Sequence, residues 1–168
     1  MSGAEQLLHV DPDMCILGLE GQVRAAAERI AAWSDAGLTV RTVRGRKART
    51  VAELFDEFAA ALQFPYYFGE NWAAFDECFS DLSWLHVQSG IVVVILDAEH
   101  VLKEEGSAEL KVLARIITDA ASAFAEPIEE TEWWSRPPLP FHVVLQGDSL
   151  HFLNRWRTAG ASISLLEA

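Results

Sequence analysis

Apolar and polar positions repeat along this chain with two periods, near two residues and near 3.6, and the two kinds of block take turns. Residues 14–21, MCILGLEG, form a short apolar run closed by glycine and read as a strand. Residues 22–35 then bring Val23, Ala26, Ile30 and Trp33 round at helical spacing. Gly37 is placed to end that helix, and residues 38–44 set Leu and Val against Thr and Arg, the pattern of a strand with one drier face. Helical spacing returns over 51–63. Gly90 introduces IVVVIL at 91–96, a β-branched run of the kind buried on both faces, which predicts the central strand. A long amphipathic helix over 108–125 turns Leu110, Leu113, Ile116, Ile117, Ala120 and Phe124 inward. FHVVLQ at 141–146 is a further buried strand. Asp148 is placed to cap a helix running through Arg157, and ASISLLE closes the chain as an alternating strand. Helices fall between consecutive strands, so the expected fold class is α/β, a mostly parallel sheet of three to five strands with helices on both faces.

Length and composition fit one domain with a sizeable core: 168 residues, 51% of them hydrophobic. No stretch approaches the roughly 18 to 20 apolar residues that cross a bilayer. The N-terminus, MSGAEQLLHVDPD, carries acids where a signal peptide needs cations, so a cytoplasmic protein is expected. Cys15 and Cys78 sit in apolar surroundings and read as buried reduced thiols, and no C-x-x-C motif suggests a metal, a redox centre or any cofactor.

Charge is unevenly spread. Between Glu53 and Glu132 there are 17 acids against Lys103, Lys111 and Arg115, a net of −14, whereas the remaining segments hold 8 acids and 10 bases. Phosphate backbones and anionic lipid surfaces repel such a domain, which argues against direct nucleic-acid and membrane binding. A basic protein or a metal remains open.

The most distinctive segment is FPYYFGENWAAFDECFSDL, residues 64–82. An aromatic turn ending in Gly69, Glu70 and Asn71 launches a short amphipathic helix, with Trp72, Phe75, Phe79 and Leu82 on the core side and Cys78 at its margin. Glu70, Glu77 and Asp81 line the other side with Ala73 between them and Asp76 at the edge, a face of carboxylates without a cation. A charged helix face is often merely solvated; this one also suits a cationic partner. Three consecutive aromatics, Tyr66, Tyr67 and Phe68, do not all bury in one loop, so at least one is expected in solvent. Gly69 is expected to take a positive φ and Asn71 to cap the helix.

Other chemistry-bearing positions have plainer explanations. Arg44, Arg46, Lys47 and Arg49 lack a glycine-rich cradle and read as a solvated turn rather than an anion site. Asp97, Glu99 and His100 follow the 91–96 strand at the end where open α/β sheets place ligands, but helix capping by Asp97 accounts for them. Asp97, Glu99 and His142 are the candidates if the chain is an enzyme, and nothing pairs them at a diagnostic spacing. Residues 126–140, EPIEETEWWSRPPLP, form a long surface loop in which Trp133 and Trp134 either lid the core or offer an interaction patch, the lid being the preferred reading.

FPYYFGENWAAFDECF resembles the barstar family, intracellular inhibitors of barnase-like guanyl-preferring ribonucleases, and the flanking strand and helix pattern extends the resemblance over residues 38–146. It implies a barstar-like core in a single domain, 1–168, with a strand and helix added over 1–37 and a helix and strand over 147–168. It further implies a non-enzymatic inhibitor whose acidic loop and helix mimic RNA phosphates and plug the cationic site of a basic ribonuclease or related toxin. By motif position the contact tyrosine corresponds to Tyr67, the asparagine to Asn71, the principal aspartate to Glu77, and an acid on a later helix to Asp119. Glu70, Asp76 and Asp81 complete the expected partner-binding set. The family's earlier helix aspartate falls at Ala73 and its tryptophan at Asp76, which reshapes the contact surface. Two alternatives stay open: a non-inhibitory interaction or self-association module on the same fold, and an enzyme with a site near Asp97.

Overall fold

The computed structural model describes residues 2–129 and 135–168. The chain order is α1 (Gly3–Leu7), β1 (Ile16–Glu20), α2 (Val23–Asp35), β2 (Thr39–Arg44), α3 (Val51–Leu62), α4 (Trp72–Asp81), β3 (Ile91–Leu96), α5 (Ser107–Ala125), β4 (Phe141–Gly147), α6 (Leu153–Thr158) and β5 (Ile163–Leu165). The strands make one sheet in the order β2-β3-β4-β1-β5, and every pairing is parallel. Parallel neighbours need crossovers, and the helices that supply them cover both faces.

The two-residue strand period divides the core. Val92 and Val94 of β3 join Leu17, Leu19 and Val144 beneath Leu7 of α1 and Ala26 and Trp33 of α2. Val93 and Ile95 turn the other way, with Val143 and Leu145, onto Leu54 and Phe58 of α3, Phe75 and Phe79 of α4, Leu113 and Ile117 of α5, and Trp156 of α6. Both faces are therefore dry.

Two expectations are corrected. The middle strand is β4, not β3; β4 is buried along its whole length and lies between β3 and β1. The terminal additions both join the sheet on one side: β1 inserts against β4 and β5 pairs with β1, so β1 is interior and β5 is the edge. Asp148 does not cap the helix that follows. Ser149 instead heads a short 3-10 turn, Leu150–Phe152, its Oγ accepting from the His151 amide, and α6 follows at Leu153 without a side-chain cap.

The carboxyl ends of β2 and β3 approach so closely that a Cβ at Gly45 would lie 2.3 Å from the Asp97 carbonyl oxygen and 2.5 Å from that of Leu96. Only glycine fits there. Gln146, fully buried on β4, accepts from the Asp97 amide at 2.8 Å and ties that end of the sheet together.

Candidate partner-binding face

Helix α4 is held by rings. Phe75 and Phe79 stack on one another at 5.5 Å, and Phe58 of α3 meets Phe75 edge-on at 5.2 Å. Trp72 sits against Phe55 at 5.1 Å, while its Nε1 donates to Glu109 of α5 at 2.6 Å. Aromatic pairs of this kind add roughly 0.5 to 1.5 kcal/mol each beyond their burial, so the helix is a fixed platform. The core stripe read from the sequence is correct: Phe75, Phe79, Leu82 and Cys78 are buried and Trp72 is half-buried.

The turn before the helix is built differently from the expectation at one position. Gly69 is not in the left-handed region; Glu70 is, with φ of 50°. A side chain in that region costs roughly 1 to 2 kcal/mol. Asn71 caps as expected, its Oδ1 accepting from the Ala74 amide at 2.9 Å while its Nδ2 donates to the Gly69 carbonyl at 3.1 Å. Gly69 leaves room for that amide, since a Cβ there would lie 3.1 Å from Nδ2. Phe68 tucks against Phe55 and Phe64, and its two neighbours stand in solvent: Tyr66 is fully exposed and Tyr67 is 73% exposed.

Glu70, Ala73, Glu77 and Asp81 are all exposed, the arrangement that helical winding predicts. None of the three acids forms an ion pair within the described residues. Asp76 is half-buried and accepts from the Ser80 hydroxyl at 3.4 Å. Asp119 lies on α5, where Arg115 binds it at 3.0 Å, so it stands apart from the unpaired set; that pair is more than half exposed and its carboxylate is only loosely held. The Cys78 thiol registers the local potential: burial raises its pKa first, and the charges of Glu77 and Asp81 raise it further.

The helix itself gains nothing from acids at these positions. Glu77 and Asp81 are four residues apart on one helix, a like-charge pair worth a few tenths of a kcal/mol against stability. Both stand toward the negative end of the helix dipole, and the last turn of α4 holds no cation to offset them.

The other candidates disperse. Asp97 takes φ of 49° and makes no side-chain cap; its carboxylate binds Arg46 at 3.0 Å. Glu99 pairs with His100 at 3.4 Å, and Arg49 reaches the His100 Nδ1 at 3.3 Å. His142 lies at the opposite end of the sheet, paired in register with Val92, five residues and about 16 Å along the strand from Asp97. It is buried with its Nδ1 unpartnered among the described residues, and burial depresses its pKa to about 4. The basic turn is tied to the molecule through Arg46 and through Arg44, which binds Glu57 on α3. Trp133 and Trp134 lie outside the described residues; the loop that carries them is pinned at its base by paired hydrogen bonds of 2.8 Å between Ile128 and Arg136. Both thiols are buried, Cys15 with a pKa raised to about 11 by desolvation, so both are protonated and free.

The sequence reading missed the contribution of α3. Asp56, exposed on that helix, lines a cavity with Glu70, Val51, Ala52 and Phe55, of which Phe55 is the buried floor. Asp56 is one of three acids on α3, with Glu53 and Glu57, and nothing local singles it out until α3 and the loop are placed together.

Comparison with known proteins returns a family and several solved structures of similar fold. The profile of the family described as Barstar (barnase inhibitor) matches residues 38–146. No curated protein matches the chain. Among solved structures, Cdc6p from Pyrobaculum aerophilum aligns with a TM-score of 0.52 at 17% identity, over 91% of this chain and 38% of that one. The ORC2 protein of Aeropyrum pernix, solved as ADPNP–ADP complexes, aligns with a TM-score of 0.59 at 14% identity, over 98% of this chain and 47% of that one. The chain thus spans less than half the length of either, and the likeness is one of fold.

Proposed function

The chain belongs to the barstar family, and from that premise we propose that it is an inhibitor-like protein that occupies the cationic site of a basic ribonuclease or related toxin in the cytoplasm. One observation carries the reading: Glu70, Glu77 and Asp81 are exposed on a rigid helix and its leading turn, beside two exposed tyrosines, and this chain supplies them no ion-pair partner among the described residues. A ribonuclease site holds phosphate with arginine, lysine and histidine. Carboxylates set at fixed points opposite such groups form charge-assisted bonds and steer association, and the tyrosines add area at little entropic cost.

The departures from the family pattern bear on which partner fits. Ala73 gives no charge where the family has an aspartate, and Glu77 carries its carboxylate one methylene farther out than an aspartate would. Asp76 and Asp81 move negative charge along the helix instead. A partner whose cations are spaced to meet that line is favoured over barnase itself.

A nucleotide is not the ligand proposed here. A P-loop needs the run G-x-x-x-x-G-K-[ST] between strand and helix, whereas Gly21 and Gln22 alone separate β1 from α2. Asp97 and His142 lie at opposite ends of the sheet and do not form one site. No helix among the described residues is long and apolar enough to cross a membrane.

The test is calorimetric titration of the chain against a panel of basic guanyl-preferring ribonucleases that includes barnase, at low and high salt. Binding that weakens steeply with salt, abolishes RNA cleavage and is lost in Glu77→Ala at unchanged circular dichroism is the expected outcome. Failure to bind any member, or binding indifferent to Glu77, overturns the reading.

A further inference from the structure

Between the start of α3 and the turn that leads into α4 lies a cavity of about 400 Å³, lined by Val51, Ala52, Phe55, Asp56 and Glu70. Its composition is divided. Phe55 is 4% exposed and belongs to the aromatic pad under α4, so the floor is apolar and rigid. Asp56 and Glu70 are exposed, one from each wall, and neither has an ion-pair partner among the described residues. At the start of α3 the amide of Val51 is engaged by Glu105 and that of Glu53 by Thr50, and the charged groups lining the cavity are the carboxylates of Asp56 and Glu70.

We propose that this cavity is the socket for an arginine side chain of the partner protein, its apolar stem packing on Val51, Ala52 and Phe55 while its guanidinium spans the carboxylates of Asp56 and Glu70. Guanidinium suits the site better than ammonium because it is planar, more weakly hydrated, stacks on aromatic surface and offers a fork of donors to two acceptors. The stem finds apolar surface that water leaves unsatisfied. An anionic side chain is repelled by the two unpaired carboxylates, and a neutral one binds more weakly because it brings no charge to pair with them. The proposal rests on the inhibitor reading above and extends it to a second helix, making Asp56 a partner-contact residue and Glu70 the link between the two contact areas.

Two measurements decide it. In the first, the isotope-labelled full chain is titrated by NMR with N-acetyl-arginine-N-methylamide and with its uncharged citrulline analogue. Saturable amide shifts centred on Ala52, Phe55, Asp56 and Glu70 are expected for the arginine probe, with affinity at least about tenfold weaker for the citrulline probe and for the Asp56→Asn, Glu70→Gln double variant. Equal response to both probes, or shifts spread evenly over the acidic surface, overturns the socket. In the second, Ala52→Trp fills the mouth from an exposed helix position, circular dichroism verifies the fold, and the variant is titrated with the ribonuclease of the panel that binds the parent chain most tightly. Loss of at least about tenfold in affinity supports the socket. Unchanged affinity for Ala52→Trp together with loss for Glu77→Ala overturns the socket and leaves the inhibitor reading standing. If no ribonuclease binds the parent chain, that reading fails, and the arginine titration still decides what the cavity accepts.

Discussion

The basic turn between β2 and α3 and the acidic turn and helix of α4 both concentrate charge on a short piece of chain, and the molecule treats them in opposite ways. Arg44 is answered by Glu57 and Arg46 by Asp97, each from another element, so the cations of the first region help to stitch α3 and the end of β3 to the sheet. Glu70, Glu77 and Asp81 receive no such answer within the described residues. The acids of α4 also stand where the helix dipole and their own spacing oppose them. The first set of charges is paired inside the chain and serves the fold; the second is left without an ion pair among the described residues, at a cost of some tenths of a kcal/mol, and on that contrast the proposed partner contact rests.

The comparison breaks first if the aromatic pad is not what holds the acidic region in place. Phe75→Ala, which empties a fully buried site shared by Phe55, Phe58, Phe64 and Phe79, is expected to cost about 3 to 5 kcal/mol in chemical denaturation and to abolish binding along with the fold. The loss of binding by Glu77→Ala, by contrast, must come without loss of structure.

Acid tests a different part of the molecule. His142 has its pKa depressed to about 4, chiefly by burial, with Asp11 opposing and His9 assisting that shift. The unfolded chain therefore binds a proton at this residue between its ordinary value near 6.5 and about 4, and the folded chain does not. The stability that the neutral ring permits is complete above that window and is lost as pH falls through it, about 3 kcal/mol in all. Thermal melting followed from neutral pH down to pH about 4 should show this loss, and His142→Phe should flatten it. A steep acid limb that survives the substitution would assign the sensitivity elsewhere. Glu57, whose pKa is lowered by its hydrogen bond from Arg44, contributes with the same sign at lower pH, its part being lost as the folded carboxylate takes up a proton.

Smaller effects sharpen the contrast. Arg46→Ala removes the partner of a mostly buried carboxylate, and about 1 kcal/mol of destabilisation in urea is expected, with ribonuclease binding unchanged. Glu77→Gln combined with Asp81→Asn should raise stability by a few tenths of a kcal/mol, as repulsion along the helix is relieved, while weakening binding. A variant pair that moved both quantities in the same direction would contradict the division between the two regions.

Much of this was legible in the chain. Periodicity gave β3 at Ile91–Leu96 as read, and placed the rest of the five strands and the helices between them to within a few residues. Phe75, Phe79 and Leu82 fell on the buried side of α4 and Glu70, Ala73, Glu77 and Asp81 on the exposed side because a helix repeats every 3.6 residues whatever it packs against. Asn71 capped because a short side-chain acceptor just ahead of a helix has one obvious use. The family motif was likewise local.

Position within the sheet was not local. The apolar run of β3 and that of β4 signal burial equally well, and only the pairing of β1 against β4 makes β4 the middle strand and carries both terminal additions to the same side. Asp97 looked like a cap because its sequence neighbours suit one, yet Gly45 brings the β2 turn so near that the carboxylate meets Arg46 instead. Asp56 and Glu70 lie 14 residues apart, and no period links a helix to a distant turn. The sequence by itself determined which residues face inward and which local signals begin and end each element, since those follow from backbone geometry and side-chain chemistry. Tertiary structure alone decided which charges find partners and which stand free, because neutralisation requires two groups within a few ångströms, and that proximity is set by how elements remote in the chain pack together.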